Sequence, residues 1–421
     1  MKSVWCFISV LAVLIGSSLS QSISDANQKT VQNGLLSFGI KLNSILLENS
    51  TENKNILFSP YNLYTALALV HLGGNGTTRD TISKVLDIPI TLSSKSLQKV
   101  LQNFSSVLQT SFTFDAFFNG TMVKASDLKL ANGIFVQNEY NSQLKKEYVA
   151  DVQLYHNSDI FNVDFVNKGE ETKDTINNYI SNKTENRIPR LLEDPLSKDT
   201  LIVLTTSLYF KSVWHEKFNP ELTKAETFQT DKGNITVQMM NSIIKAGYAN
   251  IPSLGVEVVN LRFIDTAFSM FVGMPRENQS LDNFLRNLTS DQIHTMIGQS
   301  DLYSDFEVDL KLPKTAFKWS KSVKDNLTKL GLKEEFWRSP DLSNMIDQSN
   351  IQISDIGHST DIKINEDGTE ASAVSIVTID WRSEVQYERR TFHVNRPFFF
   401  FIYNHNIKTV LFFGTVFNPG N

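Results

Sequence analysis

Stretches of alternating polarity and stretches of nearly continuous apolar residues follow one another along the chain. In FEVDLKLPK (306–314), Val308, Leu310 and Leu312 alternate with charged residues, which is typical of a strand with one wet face. TLIVLTTSLYF (200–210) is almost wholly apolar and predicts a strand buried on both faces. Near the C-terminus, PFFFFIY and TVLFFGTVF flank NHNIK, which predicts a buried hairpin.

Helical periodicity dominates the N-terminal part. NGLLSFGIKLNSILLEN (33–49) places Leu35, Phe38 and Leu42 at helical spacing. In SPYNLYTALALVHLGG (59–74), Ser59 can cap a helix, Pro60 suits its first position, and two glycines can end it. No repeat, low-complexity tract or Pro/Gly-rich linker divides residues 21–421. We therefore expect a single α+β domain.

The first twenty residues, MKSVWCFISVLAVLIGSSLS, have the basic start, apolar core and small-residue end of a secretory signal peptide. We expect cleavage near Ser20, and no later stretch has the roughly twenty apolar residues that a membrane span needs. Cys6, the only cysteine, lies in this segment, so the mature chain would have no disulfide and would depend on core packing. The expected protein is secreted into the extracellular space and has no membrane partner.

Asn-x-Ser/Thr sequons fit the secretory route, although such triplets also arise by chance. The candidate glycosylation sites begin at Asn49, Asn75, Asn103, Asn119, Asn182, Asn234, Asn278, Asn287 and Asn326.

Signatures of catalysis and metal binding are missing from the sequence. It has no GxSxG, HExxH or GxxxxGK[ST] motif and no cysteine after the signal segment, and its seven histidines lack metal-ligand spacing. A Ser-His-Asp triad built from distant residues stays open, because such triads are recognised by geometry. The net charge of -5, without a basic stripe, gives no attraction for nucleic acid. We expect no enzyme, no catalytic residues, no metal and no cofactor.

NEDGTEASAVSIVTIDWRSE (365–384) joins an acidic turn to small and β-branched strand residues and then to an Arg-Ser pair. This segment resembles the reactive loop of the serpins, a family of serine protease inhibitors. Other stretches that match the family in its order are NILFSPYNLYTALALVHLGGNGTT (55–78), INNYISNKTENRI (176–188), SLYFKSVW (207–214) and FHVNRPFFFFI (392–402). The resemblance covers nearly the whole mature chain and implies three β-sheets, about eight or nine helices and an exposed reactive loop at about 366–391.

In this family a serine protease attacks the loop, and the cut loop then inserts as a new central strand of the main sheet. The part that inserts first, here called the hinge, comprises Glu366, Gly368, Thr369, Glu370, Ala371, Ser372 and Ala373. Gly368 can adopt dihedrals closed to other residues, and Thr369, Ala371, Ala373 and Ser375 are the alternate positions expected to turn inward. Inhibitory members have similar small residues in the hinge.

The family's usual loop length, counted from Gly368, places the attacked bond at Arg382-Ser383. A trypsin-like protease has a carboxylate in its specificity pocket that suits the Arg382 guanidinium, so the implied partner is such a protease in a covalent complex. The alternative for Arg382 is a solvated loop arginine. The alternative function is that of a non-inhibitory serpin that acts as a carrier or binding protein.

Two further partner predictions concern heparin and self-association. Some relatives bind heparin through a lysine-rich helix, but QKVLQNFSSVLQTSFTF (98–114) has only Lys99 among its charges. We therefore do not expect heparin to activate the protein through that helix, and we expect a monomer.

The resemblance also implies a buried polar group, the shutter, which keeps the main sheet closed. His358 matches the shutter histidine, whereas Asn62 and Thr206 stand where relatives have serine and asparagine. These two residues either rebuild the network with amide and hydroxyl exchanged or weaken it. Lys314 and Glu366 match a pair that links the neighbouring strand to the base of the loop.

Overall fold

The computed structural model describes residues 24–48, 54–111, 115–118, 121–124, 126–156, 158–301, 306–348, 351–369 and 387–420. Within these ranges the chain forms ten α-helices and seventeen strands. The helices are α1 (Asp25–Glu48), α2 (Pro60–Gly73), α3 (Gly76–Val85), α4 (Ser94–Ser111), α5 (Lys146–His156), α6 (Gly169–Lys183), α7 (Leu281–Arg286), α8 (Ser290–Asp301), α9 (Lys324–Leu330) and α10 (Glu334–Arg338). Eight or nine helices were expected, and the difference lies in short segments, since α7 and α10 span six and five residues.

The strands are arranged in three sheets within the described ranges. In chain order they are β1 (Ile56–Phe58), β2 (Asp115–Phe118), β3 (Thr121–Lys124), β4 (Ser126–Gln137), β5 (Asp159–Val163), β6 (Ile202–Val213), β7 (Lys224–Thr230), β8 (Gly233–Ile251), β9 (Val256–Arg262), β10 (Phe268–Pro275), β11 (Phe306–Pro313), β12 (Thr315–Ser322), β13 (Ile353–Asn365), β14 (Gly368–Thr369), β15 (Glu388–His393), β16 (Phe398–Asn404) and β17 (Thr409–Val416).

The main sheet has six strands in the order β12-β13-β14-β6-β4-β5. Its two central strands, β6 and β13, run parallel and pair directly from Ile202 to Tyr209 and from Ile353 to Asp361. We call the line between them the seam, with its lower end where both strands begin. At the upper end the strands separate and β14 lies between them, antiparallel to both.

The second sheet has nine strands in the order β1-β17-β16-β10-β9-β8-β11-β15, with β7 paired to β8. Its edge strand β15 follows the reactive loop and pairs in parallel with β11. A separate two-stranded sheet consists of β2 and β3. The two ends of the predicted reactive loop, β14 and β15, therefore lie in different sheets, the first in the main sheet and the second in the nine-stranded sheet.

The core lies on both faces of the main sheet, because β6 is apolar on both of its faces. Leu204, Leu208 and Phe210 join the large core cluster together with α2, whereas Val203 and Tyr209 join a smaller cluster under α6. This arrangement confirms the prediction that residues 200–210 form a strand buried on both sides.

Other elements predicted from the sequence pattern are also confirmed. The Ser59 hydroxyl accepts a hydrogen bond from the Asn62 amide at 3.1 Å, and Pro60 occupies the first position of α2. β11 buries Val308, Leu310 and Leu312 in alternation. The C-terminal segments form the antiparallel pair β16–β17, and every residue of both strands is buried.

Among the described helices, none combines the length and the apolar character needed to cross a membrane. The expected signal segment at residues 1–20 lies outside the described residues.

Candidate functional site at the upper end of the seam

β14, at the start of the predicted reactive loop, lies within the main sheet. Gly368 pairs with Val213 of β6 and with Asn365 of β13, and Thr369 pairs with Ser212 and Ile364 in the same way. The two residues continue from the turn at Glu366 and Asp367, which reverses the chain after β13. The hinge therefore begins as a short strand between two longer ones.

Only glycine fits at position 368. Its φ of 154° lies in a region that other residues rarely adopt. A Cβ atom at this position would lie 2.0 Å from the Ser212 carbonyl oxygen and 2.8 Å from the Val213 Cα, both of them backbone atoms that cannot easily move. The close approach of β14 to β6 therefore requires Gly368, as its expected freedom of backbone conformation suggested.

Thr369 and Ser212 hold the end of β14 by side-chain contacts. Thr369 is fully buried, and its hydroxyl accepts a hydrogen bond from the Ser212 amide at 2.9 Å. The Ser212 hydroxyl lies 2.6 Å from that of Ser126 on β4. Ser212 thus links β14 through β6 to β4.

Glu366 and Lys314 form the predicted link at the base of the hinge. The Lys314 ammonium lies 2.8 Å from one carboxylate oxygen of Glu366, and the Thr223 hydroxyl donates to the other at 2.8 Å. Burial alone would raise the pKa of the Glu366 carboxyl, but the hydrogen bonds from Lys314 and Thr223 and the Lys314 charge outweigh it and hold the pKa below its usual value. Glu366 is therefore held as a carboxylate at neutral pH.

A second ion pair at the hinge was missed from the sequence. The Lys217 ammonium lies 2.8 Å from a carboxylate oxygen of Asp367, on the β6 side of the seam. The Trp214 indole N–H donates to the Asn365 carbonyl and its amide donates to the Asp367 carbonyl, both at 2.9 Å. The sequence feature that could have indicated this second ion pair is the adjacent acids Glu366 and Asp367 before Gly368. The sequence analysis assigned a partner only to Glu366.

The shutter residues lie lower in the seam. His358 pairs with Thr206 across it and is fully buried, as is Asn62. The Ser59 amide donates to His358 Nε2 at 3.0 Å, so the neutral ring carries its proton on Nδ1. Burial lowers the pKa of His358 to about 3, and the Thr206 backbone offsets this only in part.

The exchanged side chains do not rebuild a hydrogen-bonded shutter network. Three buried polar atoms of the exchanged residues lack a hydrogen-bond partner among the described residues: the Asn62 amide nitrogen and oxygen and the Thr206 hydroxyl oxygen. Each unmade hydrogen bond of a buried group costs about 1–3 kcal/mol. This geometry favours the second of the two expectations, a shutter weaker than the family's usual pattern.

Several predicted site residues lie outside the described residues and stay predictions. They are Glu370, Ala371, Ser372, Ala373, Arg382 and Ser383, together with the sequon residues Asn49 and Asn119. The remaining sequons differ in exposure. Asn75, Asn182, Asn234, Asn278 and Asn287 are exposed and Asn103 is half-buried. Asn326 is 9% exposed within α9, which makes it the least suitable of them for a glycan.

Replacing Glu366 by Gln should reduce the pH dependence of stability. Because the folded-state pKa of Glu366 is lowered, its contribution is present above the ordinary value of 4.5 and is lost as the pH falls from that value through the lowered folded-state pKa. We expect the uncleaved wild type to lose about 1 kcal/mol more than Glu366→Gln between pH 7 and pH 3 in urea unfolding. Glu147→Gln, an exposed residue of α5, serves as the control, and a pH dependence equal in all three proteins would contradict the assignment.

Restoring the family's shutter pattern should stabilise the uncleaved protein. In the double variant Asn62→Ser, Thr206→Asn, the two unpaired atoms of the Asn62 amide are removed, and the amide oxygen introduced at position 206 can accept a hydrogen bond from His358 Nδ1–H. We expect a gain of about 1–2 kcal/mol in the free energy of unfolding, measured with guanidinium chloride, and a smaller gain in either single variant. A double variant no more stable than the wild type would show that the unpaired atoms do not weaken the shutter.

Comparison with known proteins agrees with this geometry. The family model described as Serpin (serine protease inhibitor) matches residues 33–419. Iripin-5 of Ixodes ricinus is 30% identical over 375 residues, which cover 87% of this chain and 90% of the relative. The leukocyte elastase inhibitor of Xenopus tropicalis is also 30% identical, over 87% of this chain and 93% of the relative.

Solved structures show the same fold. Human thyroxine-binding globulin, crystallised with its hormone, superposes with a TM-score of 0.81 at 23% identity, over 93% of this chain and 99% of the globulin. This likeness concerns the fold alone, and the family follows from the sequence matches. The chain belongs to the serpin family.

Proposed function

We propose that this serpin is a secreted suicide substrate that traps a trypsin-like serine protease attacking Arg382-Ser383. The observation that carries the proposal is the position of β14. Gly368 and Thr369 already occupy the first two places of a strand between β6 and β13, so insertion of the loop needs only to continue an existing pairing.

The register of β14 supports the hinge assignment. Neighbouring residues on adjacent strands point to the same face of a sheet. Thr369 faces the main core beside Ser212, so the same alternation directs Ala371, Ala373 and Ser375 toward the core as pairing continues down the seam. Small side chains at these positions can enter a closed sheet with little resistance, whereas large or charged ones cannot.

Insertion also exchanges one strand pairing for two. The direct parallel pairing of β6 with β13 would give way to antiparallel pairing of the loop with each of them. Antiparallel ladders are slightly more stable per residue than parallel ones, and each new hydrogen bond contributes about 1 kcal/mol net. The weak shutter lowers the cost of separating the two strands.

The trap depends on the protease's own chemistry. Its serine oxygen attacks the Arg382 carbonyl carbon, the bond to the Ser383 nitrogen breaks, and Ser383 leaves as an amine that takes a proton from the protease histidine. The protease is then held to Arg382 by an ester. If insertion is faster than hydrolysis, the enzyme is carried along the sheet and its catalytic geometry is disturbed. If hydrolysis is faster, the loop is merely a substrate.

Secretion and the partner class are further parts of the proposal. The apolar segment at residues 1–20 and the exposed sequons support an extracellular protein, and Arg382 supports a trypsin-like protease. α4 carries two lysines, Lys95 and Lys99, so heparin is not proposed as an activator. We propose a monomer as the active form.

A carrier function is the second candidate. The similarity in fold to thyroxine-binding globulin favours it, because that protein was crystallised with thyroxine. The two candidates differ in the effect of loop cleavage on heat stability. An inhibitor gains heat stability when the loop inserts, whereas a serpin with an inert loop changes little.

Mixing the protein with trypsin should give a covalent complex that survives boiling in detergent. Electrophoresis would show a band at the combined mass, and trypsin activity should fall in proportion to the serpin added. Arg382→Gln is the matched control and should form no complex with trypsin. Only cleaved serpin with active trypsin and unchanged heat stability would refute inhibition and favour the carrier.

Replacing Thr369 by Arg should convert the inhibitor into a substrate. Position 369 is fully buried between β6 and β13, so the guanidinium would have to enter the sheet without a partner, at an effective cost of several kcal/mol. We expect trypsin to cleave this variant and to stay active, while Thr369→Ser, which keeps the hydroxyl, retains complex formation. Undiminished trapping by Thr369→Arg would exclude insertion from the mechanism.

A further inference from the structure

A cavity of about 210 Å³ lies where β8 and β9 separate in the nine-stranded sheet. The two strands pair over 247–251 and 256–260, and beyond Gly247 and Asn260 their pairing stops. The segment that follows β6 enters the gap, and its His215 amide donates to the Arg262 carbonyl at 2.9 Å. This segment fills the gap only in part, and the cavity is the space that remains.

The floor of the cavity is apolar. Buried side chains from β8, from β9 and from the segment after β6 form it: Trp214, Phe218, Ile244, Ala246 and Leu261. When an apolar group covers such a surface and displaces water from it, the gain is about 25 cal/mol for each Å² of apolar surface buried. The floor therefore favours the aromatic or aliphatic part of a ligand.

The rim of the cavity is polar, and its charged side chains are mostly basic. His215, Lys245 and Arg262 are the basic residues, and Glu216 is the one acidic residue among the described residues that line the cavity. A carboxylate oxygen of Glu216 already accepts a hydrogen bond from the Lys245 amide at 2.8 Å. The rim therefore favours an anionic group on the ligand.

Arg262 is the rim cation best suited to bind that anionic group. Its side chain is exposed, and its ion-pair partner Asp301 lies 3.8 Å away, which is longer than a hydrogen bond. The same oxygen of Asp301 accepts a hydrogen bond from the Asn260 side-chain amide at 3.1 Å. The guanidinium therefore has donors left for a carboxylate in the cavity, which it can bind through two parallel hydrogen bonds.

Tyr387, just before β15, adds an aromatic ring to the rim. The Lys245 ammonium lies 4.9 Å from the centroid of this ring, a cation–π contact that helps to keep the tyrosine at the cavity. On the floor, the Trp214 indole N–H donates to the Asn365 carbonyl, just before β14. The cavity thus lies beside both ends of the predicted reactive loop, although none of the residues that line it belongs to the part proposed to insert.

We propose that this cavity is a binding site for a small aromatic acid, with the ring on the apolar floor and the carboxylate on Arg262. Sites for drug-sized ligands have volumes of roughly 300–1,000 Å³, so this cavity suits a smaller molecule of one or two rings. The inference does not rest on the proposed trapping of a protease, because the site is formed without insertion of the loop. An inhibitor and a carrier can both contain it.

Two probe molecules with the same ring system test the ligand class on the unmodified, uncleaved protein. 2-Naphthoate carries a carboxylate, and 2-naphthamide has a neutral amide in its place. We expect isothermal titration calorimetry to show one site for 2-naphthoate and an affinity about tenfold lower for 2-naphthamide. This ratio corresponds to about 1.4 kcal/mol, as expected for the loss of a charge-assisted interaction with the guanidinium.

Two variants and two matched controls locate the site. Arg262→Gln should weaken 2-naphthoate about tenfold and leave 2-naphthamide unchanged, because only the charged probe uses the guanidinium. Thr266→Trp introduces an indole at an exposed position of the rim and should block both probes. Arg276→Gln and Thr91→Trp change exposed residues that do not line the cavity and should bind as the wild type does. Thermal unfolding of each variant checks that it is folded.

Three results would overturn the inference. If the wild type binds neither probe, or binds both equally well, the cavity is not a site for an aromatic acid. If Thr266→Trp binds 2-naphthoate as the wild type does, the probe binds elsewhere. If Thr266→Trp blocks binding but Arg262→Gln does not weaken it, the assignment of the carboxylate to Arg262 is wrong. Complex formation with trypsin, measured on the same preparations, tests the proposed function separately.

Discussion

The structure depends on how the backbone groups of β6 and β13 are paired at the upper end of the seam. Two parallel strands that separate expose amide and carbonyl groups inside a covered sheet, where unmade hydrogen bonds are costly. Gly368 and Thr369 meet those groups on both sides. The need to pair these backbone groups explains why position 368 requires glycine and why Thr369 is buried. It also sets the register that any further insertion would follow.

Two ion pairs hold the start of the hinge, one on each side of it. Lys314 holds Glu366 from the β12 side, and Lys217 holds Asp367 from the β6 side. The Trp214 side chain adds a hydrogen bond to the Asn365 carbonyl and stacks on Phe263 at 4.6 Å between ring centroids. The upper seam is thus well fixed, whereas the shutter below it contains unpaired polar atoms. The polar contacts along the described part of the seam are thus concentrated near the hinge.

The sequence predicted those features that depend on local pattern. Continuous apolar residues identified β6, and the Ser59-Pro60 pair identified the start of α2. Contacts between residues distant in sequence could not be predicted in the same way. The pairing of Lys217 with Asp367 depends on where a turn places two side chains 150 residues apart. Whether Asn62 and Thr206 could replace the usual shutter residues depended on distances that residue types do not specify.

In the proposed mechanism, the attachment of β15 gives the two sides of the Arg382-Ser383 bond different fates. Residues after the bond would stay with β15, which pairs with β11 in the nine-stranded sheet, while those before it would follow β14 down the main sheet. The extended chain from Thr369 to Arg382 covers roughly 40 Å. The ester on Arg382 would thus be carried far from the amine of Ser383, which could not attack it to rejoin the chain. If the loop inserts as proposed, this separation would make the cut irreversible.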